Sequence, residues 1–168
     1  MTEGLGDRLK VGRGWRVLDA GAVTGTVLFP LAKRVLPGGG RVDAIERSPE
    51  FAGQLRRMLR GSGLDKVRVF ESDILDAPLE NGAYDLIFAR WVFSFLPRVE
   101  EHLYHIIHAL KPGGLLVIED FHRDSLALFP RTESWEWMVK AERLWYGIHG
   151  GDLNIAAIPS APSAIRAT

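Results

Sequence analysis

The fold is decided by residues 17–25, Val17-Leu18-Asp19-Ala20-Gly21-Ala22-Val23-Thr24-Gly25. A short apolar run ends in an acid, continues through small residues and leads into a segment with helical spacing. This order is typical of a β-strand that feeds a nucleotide-binding turn in an α/β sheet. Asp19 lies at the mouth of that turn, where a carboxylate would repel a pyrophosphate. The turn therefore favours a ligand with a positive centre and no phosphate.

Length and composition favour one ordinary globular domain. The chain has 168 residues, enough to bury a substantial core. Lys plus Arg and Asp plus Glu number 21 each, so the charge balance indicates neither nucleic acid nor a membrane surface as a partner. The chain contains no cysteine, which excludes a disulfide framework and a cysteine nucleophile. The first residues lack the apolar segment of a signal peptide, and no run is long enough to span a bilayer. We therefore expect a cytoplasmic protein.

Hydrophobic periodicity predicts five strands separated by helices or long loops. The strands are expected at about residues 16–21, 41–46, 66–71, 84–89 and 115–120. The helices are expected at about residues 24–36, 48–60, 98–110 and 132–149, with a kink or late start at Pro30. This pattern predicts an α/β fold with a three-layer, doubly wound, Rossmann-like sheet that is mostly parallel. Residues 1–14 are expected to form a flexible lead-in, residues 15–150 the folded domain, and residues 151–168 a flexible tail.

Three acids lie at or just after the carboxyl ends of the first three predicted strands. In open parallel sheets, ligands bind outside the carboxyl ends of the strands, so Asp19, Glu46 and Asp73 should meet at one rim. We expect Glu46 to accept both ribose hydroxyls, Asp73 to accept from an adenine amino group, and Asp19 to lie near a methionine amino group. S-adenosylmethionine, which carries a sulfonium and no phosphate, suits this set. The alternative is that the three acids are helix caps and turn residues, but their joint arrangement favours cofactor contact.

Five motifs, in order and at matching spacing, resemble those of class I S-adenosylmethionine-dependent methyltransferases. The motifs are residues 17–25, Ala44–Glu50, Glu71–Ile74, Tyr84–Arg90 and Leu110–Gly114. The similarity is strongest to the small-molecule, ubiquinone-biosynthesis-like branch and runs from about residue 14 to residue 120. It implies methyl transfer from S-adenosylmethionine, with S-adenosylhomocysteine as the product. In such a reaction the protein chiefly supplies orientation and desolvation.

The resemblance implies a set of cofactor-binding residues, but it assigns no catalytic residue and no metal. The set comprises Asp19, Ala20, Gly21, Ala22, Gly25, Glu46, Arg47, Asp73, Ile74, Ala89 and Arg90. Arg90 is equally compatible with lining the methionine carboxylate and with capping the fourth strand. Glu119 and Asp120 are equally compatible with holding a substrate or acting as a base and with ending the fifth strand.

Three features depart from the family pattern. Val23 stands where the family usually has a glycine, and a positive φ there would strain a β-branched residue by about 1–3 kcal/mol. Residues 92–96 replace a histidine that relatives often carry after the fourth strand, which removes one candidate base. The usual sixth and seventh strands are not evident, so the chain is expected to be shortened at its C-terminus. The fifth strand would then be an exposed edge, which favours a homodimer unless a tail covers it.

Two side-chain clusters have both a functional and a structural interpretation. The first comprises His102, His105 and His108. A solvated helix face is favoured there over a metal site, because no carboxylate partner is evident. The second comprises Trp135, Trp137, Trp145 and Tyr146. Packing of the last helix onto the sheet is favoured over an apolar substrate pocket.

The sequence therefore predicts an enzyme that methylates a small organic molecule. The main alternative is a non-catalytic domain that keeps the methyltransferase fold and binds the cofactor or a partner protein. A nicotinamide-dinucleotide domain is a weaker alternative, because residues 21–25 lack the Gly-x-Gly-x-x-Gly turn. The motif typical of adenine methylation is absent after the fourth strand, so we expect no nucleic-acid partner. The sequence specifies neither the acceptor nor whether oxygen, nitrogen or carbon is methylated.

Overall fold

A computed structural model describes residues 5–157 and the backbone of residues 164–166. The strands are β1 Arg16–Ala20, β2 Arg41–Ile45, β3 Arg68–Phe70, β4 Tyr84–Arg90, β5 Leu110–Glu119 and β6 Ala164–Arg166. The α-helices are α1 Leu5–Arg8, α2 Leu28–Val35, α3 Pro49–Gly61, α4 Val99–Ala109 and α5 Glu133–His149. Short 3-10 turns occupy Leu36–Gly38, Phe93–Phe95, Arg123–Ser125 and Ile155–Ala157. Within the described ranges, no helix is both long and apolar enough to cross a bilayer.

The strands form one sheet in the order β3-β2-β1-β4-β5-β6. All neighbouring strands from β3 to β5 are parallel, and β1 lies at the centre with Val17 opposite both Val42 and Leu86. The chain therefore winds outward from β1 in both directions, which creates a crevice above the carboxyl ends of β1 and β4. The predicted doubly wound, mostly parallel α/β sheet is confirmed.

Two apolar cores lie on opposite sides of the sheet. Leu28 and Leu31 of α2 and Leu55 of α3 pack against one face, and Ile106 of α4 packs against the other. Each contributing strand presents alternate residues to the two cores, as Val17 and Leu18 do in β1. This arrangement gives the predicted three layers.

Local signals fix the ends of the helices that flank the crevice. Ser48 is the N-cap of α3 and its hydroxyl accepts from the backbone amide of Phe51, as its position before Pro49 and Glu50 predicts. Helix α2 begins only at Leu28, so Pro30 lies in its first turn, where the missing amide donor costs little. The late start predicted for this helix is confirmed.

The lead-in predicted to be flexible is instead attached to the domain from residue 5 onward. Val11 is buried in the core that contains α2, and the Arg34 guanidinium donates to the carbonyl of Val11 at 2.7 Å. Arg34 also forms an ion pair with Asp7. The polar, glycine-rich composition of this segment does not indicate that Val11 is buried or that Asp7 pairs with Arg34, which is far away in sequence.

The far edge of the sheet is also different from the prediction. Residues 164–166, which fall in the predicted flexible tail, form β6 and pair antiparallel with β5 from Leu115 to Val117. The sheet thus has a sixth strand, and β5 is not an open edge along that segment. The exposed-edge basis for a homodimer is therefore removed there, because the chain's own tail occupies those hydrogen-bonding positions.

Candidate functional site

A cavity of about 220 Å³ opens at the carboxyl ends of β1, β2 and β4. We call it the rim cavity. It is lined by Gly21, Val23, Ile45, Glu46, Arg47, Ser72, Asp73, Ile74, Trp91, Val92, Phe95 and Leu96. Five predicted site residues are in this set: Gly21, Glu46, Arg47, Asp73 and Ile74. Its walls are mainly apolar, and its carboxylates belong to Glu46 and Asp73.

The Glu46 carboxylate holds the turn that follows β1. Its Oε2 accepts from the backbone amide of Val23 at 3.0 Å, and its Oε1 accepts from the amide of Ser48 at 2.8 Å. A carboxylate offers about four lone-pair positions, so these two bonds leave each oxygen able to accept once more. Glu46 thus connects the turn to the start of α3 and retains acceptor capacity toward the rim cavity.

The turn that follows β1 is hydrogen-bonded to β2 and tightly packed. The amides of Gly21 and Ala22 both donate to the carbonyl of Ile45, at 2.9 and 3.0 Å. Gly21 has a φ of +79°, and a Cβ there would lie 2.3 Å from a methyl group of Val92. A glycine is required at this position for both conformational and steric reasons.

Val23 adopts the strained conformation that the sequence suggested. Its φ is +42°, in the left-handed region that disfavours β-branched residues. Its side chain is 41% exposed and lines the rim cavity, so no core contact offsets the strain. The hydrogen bond from its amide to Glu46 is what holds the residue in place.

Asp73 lies across the rim cavity from the turn and has a histidine behind it. Its Oδ1 accepts from the amide of Leu75 at 3.2 Å and lies 3.4 Å from Nε2 of His102. The Asp73 side chain is about one-third exposed, whereas His102 is buried. Ile74, also buried, supplies an adjacent apolar wall. The Asp73 carboxylate is therefore contacted by Leu75 and His102 on one side, and its other side is open to the rim cavity.

The prediction that the three histidines form one solvated face is wrong. His102 is buried against Asp73, His105 approaches the carbonyl of Ala77 at 3.2 Å, and only His108 is exposed. Steps of three residues rotate by about 300° along a helix, so the imidazoles diverge. Among the residues that the structure describes, no group of three or more His, Cys, Asp or Glu side chains is arranged to hold a metal ion.

Asp19 does not line the rim cavity. Its side chain is buried near the backbone amide of Leu28, at the start of α2. Burial raises the pKa of the Asp19 carboxyl from its ordinary 3.8 to about 7; the Leu28 amide opposes this shift and the charge of Glu46 adds to it. The prediction that Asp19 meets a ligand's amino group, directly or through water, is therefore not supported by the placement of this side chain.

Four other predicted site residues are packed inside the protein. Ala20 and Ala89 are buried in the core that contains α4, and Ala22 is buried in the core that contains α2. Gly25 has a φ of +75°, and a Cβ on it would lie 2.6 Å from the Phe29 ring. These residues shape the turn without lining the cavity, because adjacent residues at a strand end face opposite sides of the sheet.

The charged residues that end β4 and β5 bind each other and the backbone. Nε of Arg90 lies 3.6 Å from Oε2 of Glu119, and the Arg90 guanidinium sits 4.3 Å from the centre of the Trp91 ring. Asp120 accepts from the amides of Val92 and Ser94, at 3.1 and 3.0 Å. Of the two interpretations left open by the sequence, the placement favours strand capping for Arg90 and a turn-holding role for Asp120.

Sequence reasoning missed the apolar wall that follows β4. Trp91, Val92, Phe95 and Leu96 all line the rim cavity. The sequence in this stretch was interpreted only through a missing histidine, although its run of apolar residues directly after a central strand was itself a signal. This wall makes one side of the cavity suitable for a flat, weakly polar group.

A second cavity, of about 160 Å³, lies between the segment after β5 and helix α5. We call it the aromatic cavity, and it is lined by Phe121, Arg123, Leu126, Trp135, Met138, Glu142, Tyr146 and Leu153. The prediction that the tryptophans pack α5 onto the sheet is wrong, since no residue of α5 is buried and Trp137 is 64% exposed. Trp135 and Tyr146 line the aromatic cavity instead.

Comparison with known proteins relates this chain to one family. The family described as "Methyltransferase domain" matches residues 17–114, which include every motif from the β1 turn to the start of β5. A protein-L-isoaspartate O-methyltransferase of Methanopyrus kandleri is 37% identical over 154 residues, covering 90% of this chain and 60% of the relative. A demethylmenaquinone methyltransferase of Thermus thermophilus is 33% identical over 106 residues, covering 63% of this chain and 47% of the relative.

Solved structures agree with this relationship. A SAM-dependent methyltransferase from Aquifex aeolicus superposes with a TM-score of 0.68 and 27% identity, covering 87% of this chain and 78% of that chain. The chain spans less than two-thirds of the length of the first curated relatives that it matches, at 5%, 36% and 60%.

Proposed function

This chain belongs to the class I S-adenosylmethionine-dependent methyltransferases, and from that membership we propose that it transfers a methyl group from S-adenosylmethionine to a small, largely apolar organic acceptor. The observation that carries the proposal is the pairing of Glu46 and Asp73 in one apolar-walled cavity at the carboxyl ends of the parallel strands. The carboxylates of Glu46 and Asp73 can accept further hydrogen bonds, so they suit a ligand with hydroxyl and amino groups. Their negative charge would repel a phosphate.

The residues of the rim cavity fit the adenosine part of the cofactor. Glu46 would accept from the two ribose hydroxyls, because each of its oxygens has only one backbone donor. Asp73 would accept from the adenine amino group, and Ile45 and Ile74 would flank the ring. Arg47 is exposed at the same rim and contributes its stem to the wall. When bound, the cofactor supplies an electrophilic methyl group on sulfur and leaves as S-adenosylhomocysteine.

The protein's own contribution to the reaction is orientation and exclusion of water. Among the described residues that line the rim cavity there is no histidine, and the acids in that set are Glu46 and Asp73. Both are committed to binding in this proposal, and Asp120 is held by backbone amides. The acceptor must therefore lose its proton to water or carry a nucleophile that needs no base. Acidic phenols and the enols of 1,3-dicarbonyl compounds meet this condition, because they lose a proton to water near neutral pH and then present a nucleophilic oxygen or carbon.

The proposed acceptor class depends on the cavity walls. One relative is named for demethylmenaquinone and another for an isoaspartate in protein, so membership in the family leaves the acceptor open. Trp91, Phe95 and Leu96 form an apolar wall of the rim cavity. Such a wall favours a small apolar molecule over a polar peptide side chain.

A second candidate function is a non-catalytic domain that binds the cofactor or a partner protein. Two observations favour it: the strained Val23 in the cofactor turn and the lack of an evident base along the rim cavity. In this alternative the fold and cofactor affinity persist, while methyl transfer does not occur.

The two functions are separated by a transfer assay with methyl-labelled S-adenosylmethionine. The full chain is incubated with a panel of phenols, enolisable ketones, amines and carboxylic acids, with an unreactive aromatic hydrocarbon as the blank. We expect label in at least one phenol or ketone, with transfer at subsaturating S-adenosylmethionine lowered about tenfold in an Asp73→Ala variant. Cofactor binding without transfer to any compound would favour the non-catalytic domain. Transfer only to amines or acids would contradict the proposed acceptor class.

A further inference from the structure

Arg123 is a buried cation whose hydrogen-bonding capacity is only partly used. It lies in the 3-10 turn after β5 and is 6% exposed. Its Nε forms an ion pair with Glu142 of α5, and its guanidinium sits 4.6 Å from the centre of the Trp135 ring. Its Nη2 is buried and has no hydrogen-bond partner among the described residues. A buried donor without a partner is costly, so an acceptor atom supplied by a ligand would be strongly favoured here.

The cavity beside this guanidinium has the size and walls of a site for one ring. Its volume is about 160 Å³, and it opens to solvent beside Leu126 and Met138, which are exposed. An enclosed apolar cavity of about 150 Å³ in another protein holds a benzene molecule, so one ring matches this space in size. Aromatic and aliphatic side chains, among them Phe121, Leu126 and Met138, make up most of its lining. Among the lining residues that the structure describes, Arg123 and Glu142 are the charged ones.

The charged residues that line the aromatic cavity favour an uncharged ligand. Glu142 lines the same cavity and neutralises Arg123, so a carboxylate placed there would meet one charge of each sign. Outside this cavity, Asp124 is paired with Arg143 at 2.9 Å and Arg131 with Glu136 at 3.5 Å. The remaining nearby cation, Lys140, lies 5.3 Å from the centre of the exposed Trp137 ring. A carbonyl or ether oxygen needs only the unused donor of the guanidinium and brings no charge into an apolar space. A neutral ketone therefore suits the site better than an acid.

The aromatic cavity adjoins the rim cavity through contacts between the aromatic side chains of the two linings. Phe95 lines the rim cavity, and its ring centre lies 5.4 Å from that of Tyr146 and 6.5 Å from that of Phe121. Tyr146 and Phe121 both line the aromatic cavity. Trp91 of the rim cavity stacks on Phe121 with ring centres 5.6 Å apart. A molecule seated at Arg123 is thus separated from the rim cavity by about one layer of rings.

We infer that the aromatic cavity binds the ring-sized apolar part of an uncharged methyl acceptor, whose carbonyl oxygen accepts a hydrogen bond from Arg123. This inference rests on the proposed methyltransferase function. In this inference Arg123 determines which acceptor binds, and Glu142 holds the Arg123 guanidinium in position. The other end of the acceptor extends past Phe95 toward the rim cavity.

The test is a nuclear magnetic resonance titration with three ring compounds of similar size: acetophenone, benzoate and toluene. The indole N–H signal of Trp135 reports on the aromatic cavity, and that of Trp91 reports on the rim cavity. We expect acetophenone to shift the Trp135 signal and to bind at least tenfold more tightly than benzoate or toluene. Shifts confined to Trp91, no binding of acetophenone, or equal binding of toluene would overturn the inference. Preferential binding of benzoate would overturn the inference that the ligand is uncharged.

Matched variants test the role of the guanidinium. In the double variant Arg123→Met, Glu142→Gln, no charge is left unpaired, and acetophenone affinity should fall about tenfold to match that of toluene. If this variant does not fold, Arg123→Lys retains a cation for Glu142 but lacks the second donor nitrogen, and the same loss is expected. Arg57→Met, on the exposed face of α3, is the control and should bind acetophenone normally. Unchanged acetophenone affinity in the Arg123 variants would contradict the inference.

The same samples separate this inference from the proposed function. S-adenosylhomocysteine affinity is measured for each protein by calorimetry without acetophenone. Cofactor binding that persists while acetophenone fails to bind overturns only the acceptor site. Loss of cofactor binding in the unmodified chain overturns the proposed function, whatever acetophenone does.

Discussion

The backbone amide of Val23 donates to Oε2 of Glu46 at 3.0 Å, although Val23 has a φ of +42°. The most strained residue of the turn is thus held by the carboxylate proposed to bind ribose. Two consequences follow: the turn carries strain that a glycine would remove, and any change in Glu46 also loosens the turn.

Replacing Val23 with glycine should stabilise the protein. The gain from relieving a β-branched residue at positive φ is about 1–3 kcal/mol, and the added freedom of the unfolded chain costs about 0.5–1 kcal/mol. We expect the free energy of unfolding to rise by about 1 kcal/mol, measured by urea denaturation. The neighbouring Thr24→Gly variant is the control and should lose stability, because Thr24 is not among the residues with positive φ. A Val23→Gly variant less stable than the unmodified chain would contradict the assignment of strain.

The buried Asp19 should make stability depend on pH. Because burial raises the pKa of this carboxyl from 3.8 to about 7, the folded state binds more protons than the unfolded state between these values. Stability should therefore fall as pH rises from about 4 to about 7. Asp19→Asn keeps an acceptor for the Leu28 amide and removes the charge, so it should be more stable by about 1–3 kcal/mol at pH 8.

The measurement for Asp19 is urea denaturation of both proteins at pH 5, 6, 7 and 8. The difference in unfolding free energy should grow with pH and level off above pH 7. Asp65→Asn, at an exposed position, is the matched control and should track the unmodified chain. Parallel pH profiles for the Asp19→Asn variant and the unmodified chain would show that the carboxyl is ionised throughout.

His102 should act as a positioning residue for Asp73. Its imidazole lies 3.4 Å from the carboxylate, so His102→Leu removes a polar partner and should weaken S-adenosylhomocysteine binding by about three- to tenfold. His102→Gln, which retains a polar side chain beside Asp73, should recover most of that affinity. The exposed His108→Leu is the control. If the leucine and glutamine variants bind equally, His102 has only a packing role.

Asp43 is the residue whose loss should damage the fold most. It is 1% exposed, accepts two bonds from Arg68 at 2.7 Å each, and accepts from the Tyr84 hydroxyl at 2.7 Å. Removing one member of a buried charged network costs about 3–5 kcal/mol. Asp43→Ala should lose that much by thermal or urea denaturation, whereas Glu71→Ala, which breaks the exposed pair with Arg56, should lose less than about 1 kcal/mol. Equal losses would refute the special role of this network.

The central part of the fold could be predicted because its signals are local. Apolar runs placed the five parallel strands, and Ser48 marked the start of α3 through its cap. The ends of the chain could not be predicted this way. The burial of Val11 and the pairing of β6 with Leu115–Val117 depend on contacts between residues far apart in sequence. Composition alone suggested flexibility for both ends.

The candidate site was predictable to the extent that strand ends determine it. Glu46 and Asp73 lie at the rim because parallel strands carry their carboxyl ends to one side. Asp19 and Ala89 follow the same rule along the chain, but their side chains point into the protein. Which side a terminal strand residue faces depends on the pleat and on the helix packed below it. The contact between Arg123 and Trp135 could not be predicted from the sequence, because the two residues meet only through the packing of α5.

The most direct test of cofactor binding at Glu46 and Asp73 is a calorimetric titration of S-adenosylhomocysteine. Three proteins are compared under one buffer: the unmodified chain, Glu46→Ala and Asp73→Ala, with Asp65→Ala as the exposed-acid control. We expect the unmodified chain and the control to bind alike, affinity to fall by about 100-fold in Glu46→Ala through two lost hydrogen bonds to a charged group, and by about tenfold in Asp73→Ala. Undiminished binding in both site variants, with each shown to be folded, would contradict the assignment of the rim cavity as the cofactor site.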